Sequence, residues 1–249
     1  MALGIKLARV AIIITIFALW EALSRSGIVN PRLLPAASDT LAMLGQLLQR
    51  ASVRNDLAVT ASEVLTAFAL AVPFGALVGF LIAENRYFAE VVKPLLFFAF
   101  SIPKSIFLPM FILVFGVGFA QKVGFGFFST IFIVIMSTTT AVEQVKVEYL
   151  TVARSYGATS AQTALRVYLP SMLPVLLEAL RISMIFNLTG VILAEMYASR
   201  DGIGHQNASW GENFQMKQLL AGVVMIATIA IAFNEGIRWV ETRCSHWRT

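Results

Sequence analysis

The chain has 249 residues, 58% of them hydrophobic and 13% charged, with a mean hydropathy of +0.78. That is more apolar surface than a soluble domain of this size can bury, so a water-soluble globule is excluded and lipid must be part of the solvent. The net charge of +5 comes from basic residues scattered between apolar runs, the pattern of membrane anchors, which argues against nucleic-acid binding.

A hydrocarbon core about 30 Å thick takes roughly 20 helical residues to cross. Six apolar runs approach that length, at 7–24, 57–83, 91–115, 119–141, 171–197 and 217–240. The expected fold class is therefore an all-α, polytopic membrane protein of about six transmembrane helices. The first run follows Lys6 and Arg9, and bulky Trp20 and Glu21 stand where a signal-peptide cleavage site needs small residues, so it reads as an uncleaved span. Next, Leu33-Leu34-Pro35 leads to Ser38-Asp39, expected to cap a helix striped with Leu41, Leu44, Leu47 and Leu48. That helix either lies on the outer membrane surface or packs on the spans.

The second run carries Ala71, Gly75, Gly79 and Ala83, a small residue at every fourth position. Such spacing strips one helix face so that another backbone can approach, either from the same chain or from a second one. Pro73 removes a backbone donor from the same helix and is expected to bend it. The domain reading is a first span with its outer amphipathic segment (1–55), a membrane core (56–241) and a short tail (242–249).

Charged side chains inside spans cost several kcal/mol unless paired or hydrated. Lys104 sits in Ser101-Ile102-Pro103-Lys104-Ser105, where proline and hydroxyls interrupt the third run. Arg181 lies at a comparable distance along the fifth run, so the two could form a cationic constriction that favours anions, with Ser101, Ser105, Asn187 and Thr189 lining the same pathway. The alternative is structural: Arg181 pairs with Glu178, Lys104 snorkels, and Asn187 and Thr189 bond between helices. Glu195 and Arg200, near the outer end of that run, either contact a docking protein or pair with each other.

No catalytic or metal-binding residues are expected. The only histidines, His205 and His246, lie in different polar segments, and neither H-E-x-x-H nor G-x-S-x-G occurs. The single cysteine, Cys244, allows no internal disulfide. Without G-x-x-x-x-G-K-[ST] the chain cannot hydrolyse ATP in the phosphate-loop manner.

The polar stretch from Glu143 to Pro170 reads as two short helices. Val147, Leu150 and Ala153 recur every third residue, Gly157 suits a left-handed C-cap, and Thr159 and Gln162 have capping-box spacing before Pro170. Thr151-Val152-Ala153, then Gly157, then Val167-Tyr168-Leu169-Pro170 resemble the EAA loop of binding-protein-dependent ABC permeases. That loop reads E-A-A, three residues, G, nine residues, I-x-L-P. Thr151 stands in place of the family's glutamate. Pro35 to Leu41, Ser101-Ile102-Pro103 with Leu108-Pro109 and Phe115-Gly116, and Ala194-Glu195-Met196 with Gly202-Ile203-Gly204 are similar to segments of the nitrate, sulfonate and taurine permease group.

The resemblance implies a type I ABC importer permease fold in a bacterial inner membrane. It implies a coupling helix, carried by Glu148, Thr151, Val152, Ala153, Arg154, Gly157 and Ala158, that docks on a cytoplasmic ATPase. ATP and magnesium would then be bound by that partner and no cofactor by this chain. The working assembly would hold two permease subunits, as a homodimer, two ATPases and a periplasmic or lipid-anchored solute-binding protein, and would import a small anion such as a sulfonate, taurine or nitrate. Glu148, one turn before Thr151, would replace part of the missing charge. Both termini are expected in the cytoplasm, because that orientation puts Arg86, Lys93, Lys146, Arg154 and Arg166 inside. A self-contained ion-coupled carrier or channel is the alternative, and a membrane-embedded enzyme a more distant one.

Overall fold

The computed structural model describes residues 2–244; His246 and Arg248 of the tail, and the side chains of Lys6 and Cys244, lie outside the described residues. Every regular element among them is helical. Helix α1 (Ala2–Arg25) leads to α2 (Ala37–Gln49) and the long α3 (Ala51–Glu84), and α4 (Arg86–Ser101) is followed by a single 3-10 turn (Lys104–Phe107) and α5 (Leu108–Phe115). After α6 (Phe119–Glu143) come α7 (Val147–Ser155), α8 (Ser160–Thr163), a π turn (Ala164–Tyr168), α9 (Leu169–Tyr197), α10 (Ile203–Glu212) and α11 (Met216–Cys244).

Five helical stretches are long and apolar enough to cross a membrane, and α4 with α5 makes a sixth if the pair is counted as one span bent by 79°. The third apolar run is thus broken. Ile102 takes the extended conformation (φ −69°, ψ 128°) that a following proline favours, Pro103 cannot donate, and the chain restarts as a 3-10 turn with Pro109 in the first turn of α5.

Helix α6 forms the centre of the bundle, with α3 and α9 on either side. The small-residue stripe of α3 packs on α6 of the same chain. A Cβ added at Gly75 would come 2.9 Å from Val134, and one at Gly79 would come 2.6 Å from the Ile135 carbonyl oxygen. Thr139 Oγ1 reaches back 3.2 Å to the Gly79 carbonyl, and Ala71 is fully buried, while Ala83 packs at the helix end beside Val142 and Tyr168. Because a backbone oxygen blocks the site, Gly79→Val should lower stability by about 1–3 kcal/mol. Gly45→Ala, whose methyl meets nothing within 4 Å and which sits in a helix interior that favours alanine, should not lower the melting temperature of the detergent-purified protein; equal melting of the two variants would contradict the seam.

Helix α2 packs on the spans, with Leu47 wholly buried against the main core while Leu41 and Leu48 stay exposed. Its N-cap is Ala36, with no side-chain cap. Ser38 and Asp39, expected to cap it, bond elsewhere: the Ser38 amide and hydroxyl donate to Glu21 of α1, and Asp39 accepts from Lys217 at the start of α11 at 2.8 Å. Helix α1 touches the bundle chiefly at this end, through Trp20 Nε1 to the Pro35 carbonyl and Ser24 Oγ to the Leu34 carbonyl, and its apolar length is otherwise exposed.

Pro170 does not interrupt the chain as expected. Helix α8 continues through the π turn into α9, making one helical body over Ser160–Tyr197. The Leu169 N–H bonds to the Ala164 carbonyl, five residues back. A wider turn of this kind takes up the place where a proline ring would crowd a regular helix.

Candidate functional site

Three features of the fold carry polar or exposed groups that packing alone does not require. At one end of the bundle, α7 and α8 form the loop anticipated from the sequence. Gly157 (φ +70°) ends α7, with the Ala158 N–H on the Ala153 carbonyl and the Gly157 N–H on the Arg154 carbonyl, both at 3.0 Å. Thr159 caps α8 through its hydroxyl, and the Gln162 side chain accepts the Thr159 N–H at 2.9 Å, completing a capping box. Leu150 is the anchor, packed with Val142, Val145 and Tyr168. Val147, Tyr149, Val152 and Tyr156 face outward, Tyr156 being 88% exposed. Glu148, Thr151 and Arg154 are also exposed, Ala153 and Ala158 half-buried, and the Thr151 hydroxyl is occupied by the Val147 carbonyl.

Along one side of the bundle runs a groove between α4–α5 and α9, floored by α6 over most of its length and by α10 with the start of α11 at one end. It comprises three concavities of about 520, 480 and 490 Å³. Helix α9 contributes Val175, Glu178, Ile182, Phe186, Thr189, Leu193 and Met196 to their walls, residues that recur every three or four positions on one face. The middle concavity brings together Ser101, Lys104, Ser105 and Thr189, four of the residues anticipated for a pathway. It leaves out the other two. Arg181 points to α11, with Nε donating to Asn234 Oδ1 at 3.2 Å and Nη1 3.6 Å from Glu241, so neither a constriction with Lys104 nor a pair with Glu178 forms. Asn187 is fully buried, and its Nδ2 donates to the Val64 carbonyl of α3 at 2.8 Å. Both side chains leave α9 on faces other than the one that lines the groove.

At the opposite end, sequence reasoning missed a cluster of buried charge. Lys122 on α6 is 1% exposed, and its Nζ lies 2.5 Å from Glu63 on α3 and 2.5 Å from Asp201 in the α9–α10 loop, with Ser199 Oγ at 3.1 Å. Glu63 is fully buried and neither of its oxygens has a well-aligned hydrogen bond among the described residues, so the ion pair with Lys122 is what keeps it in the core. The hydrogen bond from Lys122 holds the Asp201 carboxyl below the usual carboxylate range.

Beside this cluster, side chains cap the start of α10. Asp56 accepts the Gly202 N–H at 3.0 Å, Thr60 the Ile203 N–H at 2.9 Å, and Glu195 the Gly204 N–H at 2.7 Å, so three successive amides meet oxygens from α3 and α9. Thr60 Oγ1 in turn donates to Glu195 Oε1 at 2.5 Å. A Cβ on Gly202 (φ +99°) or Gly204 would strike the Glu195 carboxylate, which gives Ala194-Glu195-Met196 and Gly202-Ile203-Gly204 a shared physical reason. Glu195 is wholly buried in this network, so it neither faces a docking protein nor pairs with Arg200, which stays exposed.

Residues 71–246 match the model of a family described as "Binding-protein-dependent transport system inner membrane component". The chain is similar to the taurine transport system permease protein TauC of Escherichia coli (strain K12), with 27% identity over 98% of this chain and 89% of the relative. The putative aliphatic sulfonates transport permease protein SsuC of Bacillus subtilis (strain 168) is 23% identical over 94% of this chain and 84% of the relative. The formylaminopyrimidine transport permease protein ThiX of Halalkalibacterium halodurans is 26% identical over 92% and 91%. Among solved structures, the inward-facing MetNI methionine ABC transporter superposes with a TM-score of 0.65 at 19% identity, covering 80% of this chain and 96% of that one. That likeness is one of fold.

Proposed function

The chain belongs to the family of binding-protein-dependent transport system inner membrane components, and from that premise we propose how it works within its importer. It is a multi-span permease subunit of an ABC importer, not an enzyme. In the proposed assembly it pairs with a second copy of itself, with two cytoplasmic ATPases that hold ATP and magnesium, and with an external solute-binding protein. The α7–α8 loop faces the cytoplasm and both termini lie on that side. The cargo is a small anion of the sulfonate or taurine type, in keeping with the names of two of the relatives.

One observation carries the coupling reading: α8 is the beginning of the same helical body as α9, 38 residues long, and that body walls the groove. An ATPase gripping α7 and α8 would therefore hold the end of a lever that reaches the pathway, so a rigid shift at the loop moves the groove wall. Arg154 and Ala158 line a concavity of about 560 Å³ with Phe80, Glu84 and Tyr168, where the loop meets the ends of α3 and α6. This reading is tested by co-purification: the chain should bring down a cytoplasmic ABC ATPase subunit from its own cells, and its failure to do so would count against the assembly.

Glu148 is the exposed carboxylate on the first turn of α7, one turn before the position where the family loop has glutamate. As a charge at an interface rim, its replacement in Glu148→Gln should lower binding-protein-stimulated ATP hydrolysis about threefold without dissociating the complex. Unchanged hydrolysis would remove Glu148 from the joint.

A further inference from the structure

Every cation of α4, α6 and α9 faces a carboxylate, Arg86 meeting Glu90 on its own helix, whereas Lys104, at the break between α4 and α5, does not. Lys93 meets Glu143, Lys122 meets Glu63 and Asp201, and Arg181 meets Glu241. Lys104 forms no salt bridge among the described residues. Its only hydrogen bond there is from Nζ to the Phe100 carbonyl at 3.2 Å. Three aromatic rings surround the ammonium, with centroids 4.1 Å (Phe100), 5.9 Å (Phe132) and 6.0 Å (Phe186) from Nζ. The group sits in the middle concavity of the groove, half-buried, with the exposed Ser105 on the same wall.

Such an ammonium is only partly compensated. Ring faces attract a cation but supply no full counter-charge, and two of its three donor directions remain open. The break at Ile102-Pro103 creates this exposure, because it turns the chain by 79° just before Lys104 and stops the side chain from lying along a continuous helix. No second cation lines the concavity among the described residues, Arg181 being committed to α11.

We propose that Lys104 is the charge-reading contact of the groove, taking the sulfonate or carboxylate head of a small organic monoanion at Nζ while the apolar body lies against the rings of Phe100 and Phe186. One ammonium neutralises one negative charge. A dianion such as sulfate would carry a second charge that no further cation of the concavity's lining meets, and a partly desolvated unpaired charge is costly. A bare inorganic monoanion would gain the charge contact and nothing from the rings. The site is thereby selective for organic monoanions over sulfate. That solute passes this point rests on the permease reading; that the site binds such an anion does not.

The test uses the full chain in lipid nanodiscs, with ethanesulfonate as the probe. An amine-acylating reagent is applied, and the labelling rates of Lys104, Lys146 and Lys217 are read from their peptides by mass spectrometry. Ethanesulfonate should slow labelling of Lys104 by up to about threefold at twice its Kd, leaving the other two unchanged, and sulfate at equal ionic strength should not. In Phe186→Ala, a partly exposed position, the protecting concentration of ethanesulfonate should rise several-fold. Equal labelling of Lys104 with and without ethanesulfonate, equal protection by sulfate, or undiminished protection in Phe186→Ala would each overturn the assignment. Labelling needs no ATPase, so these failures are distinct from failure of the ATPase to co-purify, which would count against the permease reading alone.

Discussion

Lys122→Met should strip the folded chain of about 3–5 kcal/mol of stability, the usual consequence of removing one partner from a buried ion pair. The loss is large because Glu63 is fully buried and has no well-aligned hydrogen bond to fall back on among the described residues. Asp201, 53% exposed at its side chain, can return to solvent, but Glu63 cannot. The melting temperature in detergent should therefore fall by roughly 10 °C, and the double variant Lys122→Met with Glu63→Gln should recover part of that fall. A double variant no more stable than Lys122→Met alone would show that the stranded carboxylate is not the cause. A pH dependence follows with a definite sign. Because Asp201 titrates below its ordinary range when folded, its contribution is present above its unfolded pKa and fades as pH falls through the folded one. Acidification should lower the melting temperature of the natural chain, and Lys122→Met should remove that part of the slope.

The second large effect is expected at the other end, on coupling and not on folding. Val152 is exposed on α7, beside Tyr149 and Tyr156, whereas Leu150 holds the helix to the bundle. Val152→Asp places a charge where an apolar patch would be desolvated by a docked ATPase. An unpaired charge in an interface costs several kcal/mol, so ATPase co-purification should fall by about a hundredfold or more while the melting temperature of the isolated chain stays within about 1 °C. Retention of the ATPase by this variant would move the docking surface elsewhere. Leu150→Asp should do the reverse, destabilising the chain itself.

What could be read from sequence was local. The Gly157 cap and the Thr159–Gln162 box are set by residues within a few positions of each other, and both form as anticipated. The stripe from Ala71 to Ala83 also followed from one helix period, although its partner did not, because periodicity on one helix cannot say whether α6 or a second chain covers it. The charge cluster was hidden by distance along the chain. Lys122 stands at the start of the apolar run 119–141, where a lysine at the membrane edge is unremarkable; only the folding of the α9–α10 loop over the end of α6 buries it. A signal was nevertheless present. Asp56, Thr60 and Glu63 continue the face of Ala67, Ala71, Gly75 and Gly79 at intervals of three and four, so the seam that excludes lipid lower down carries polar groups higher up. Arg181 shows the opposite error. Distance along a helix estimated its depth, but the direction in which it leaves α9 decides its neighbours, and a single-residue step from Ile182 turns it toward α11.

The central claim is that this chain forms a pathway moved by a partner. Its most direct test is solute uptake into liposomes holding either the chain alone or the chain with its ATPase and binding protein, with ATP on the ATPase side. Uptake only in the complete system, abolished when ATP is replaced by a non-hydrolysable analogue, is the predicted result. Robust uptake by the chain alone would contradict it and make this protein a self-contained carrier.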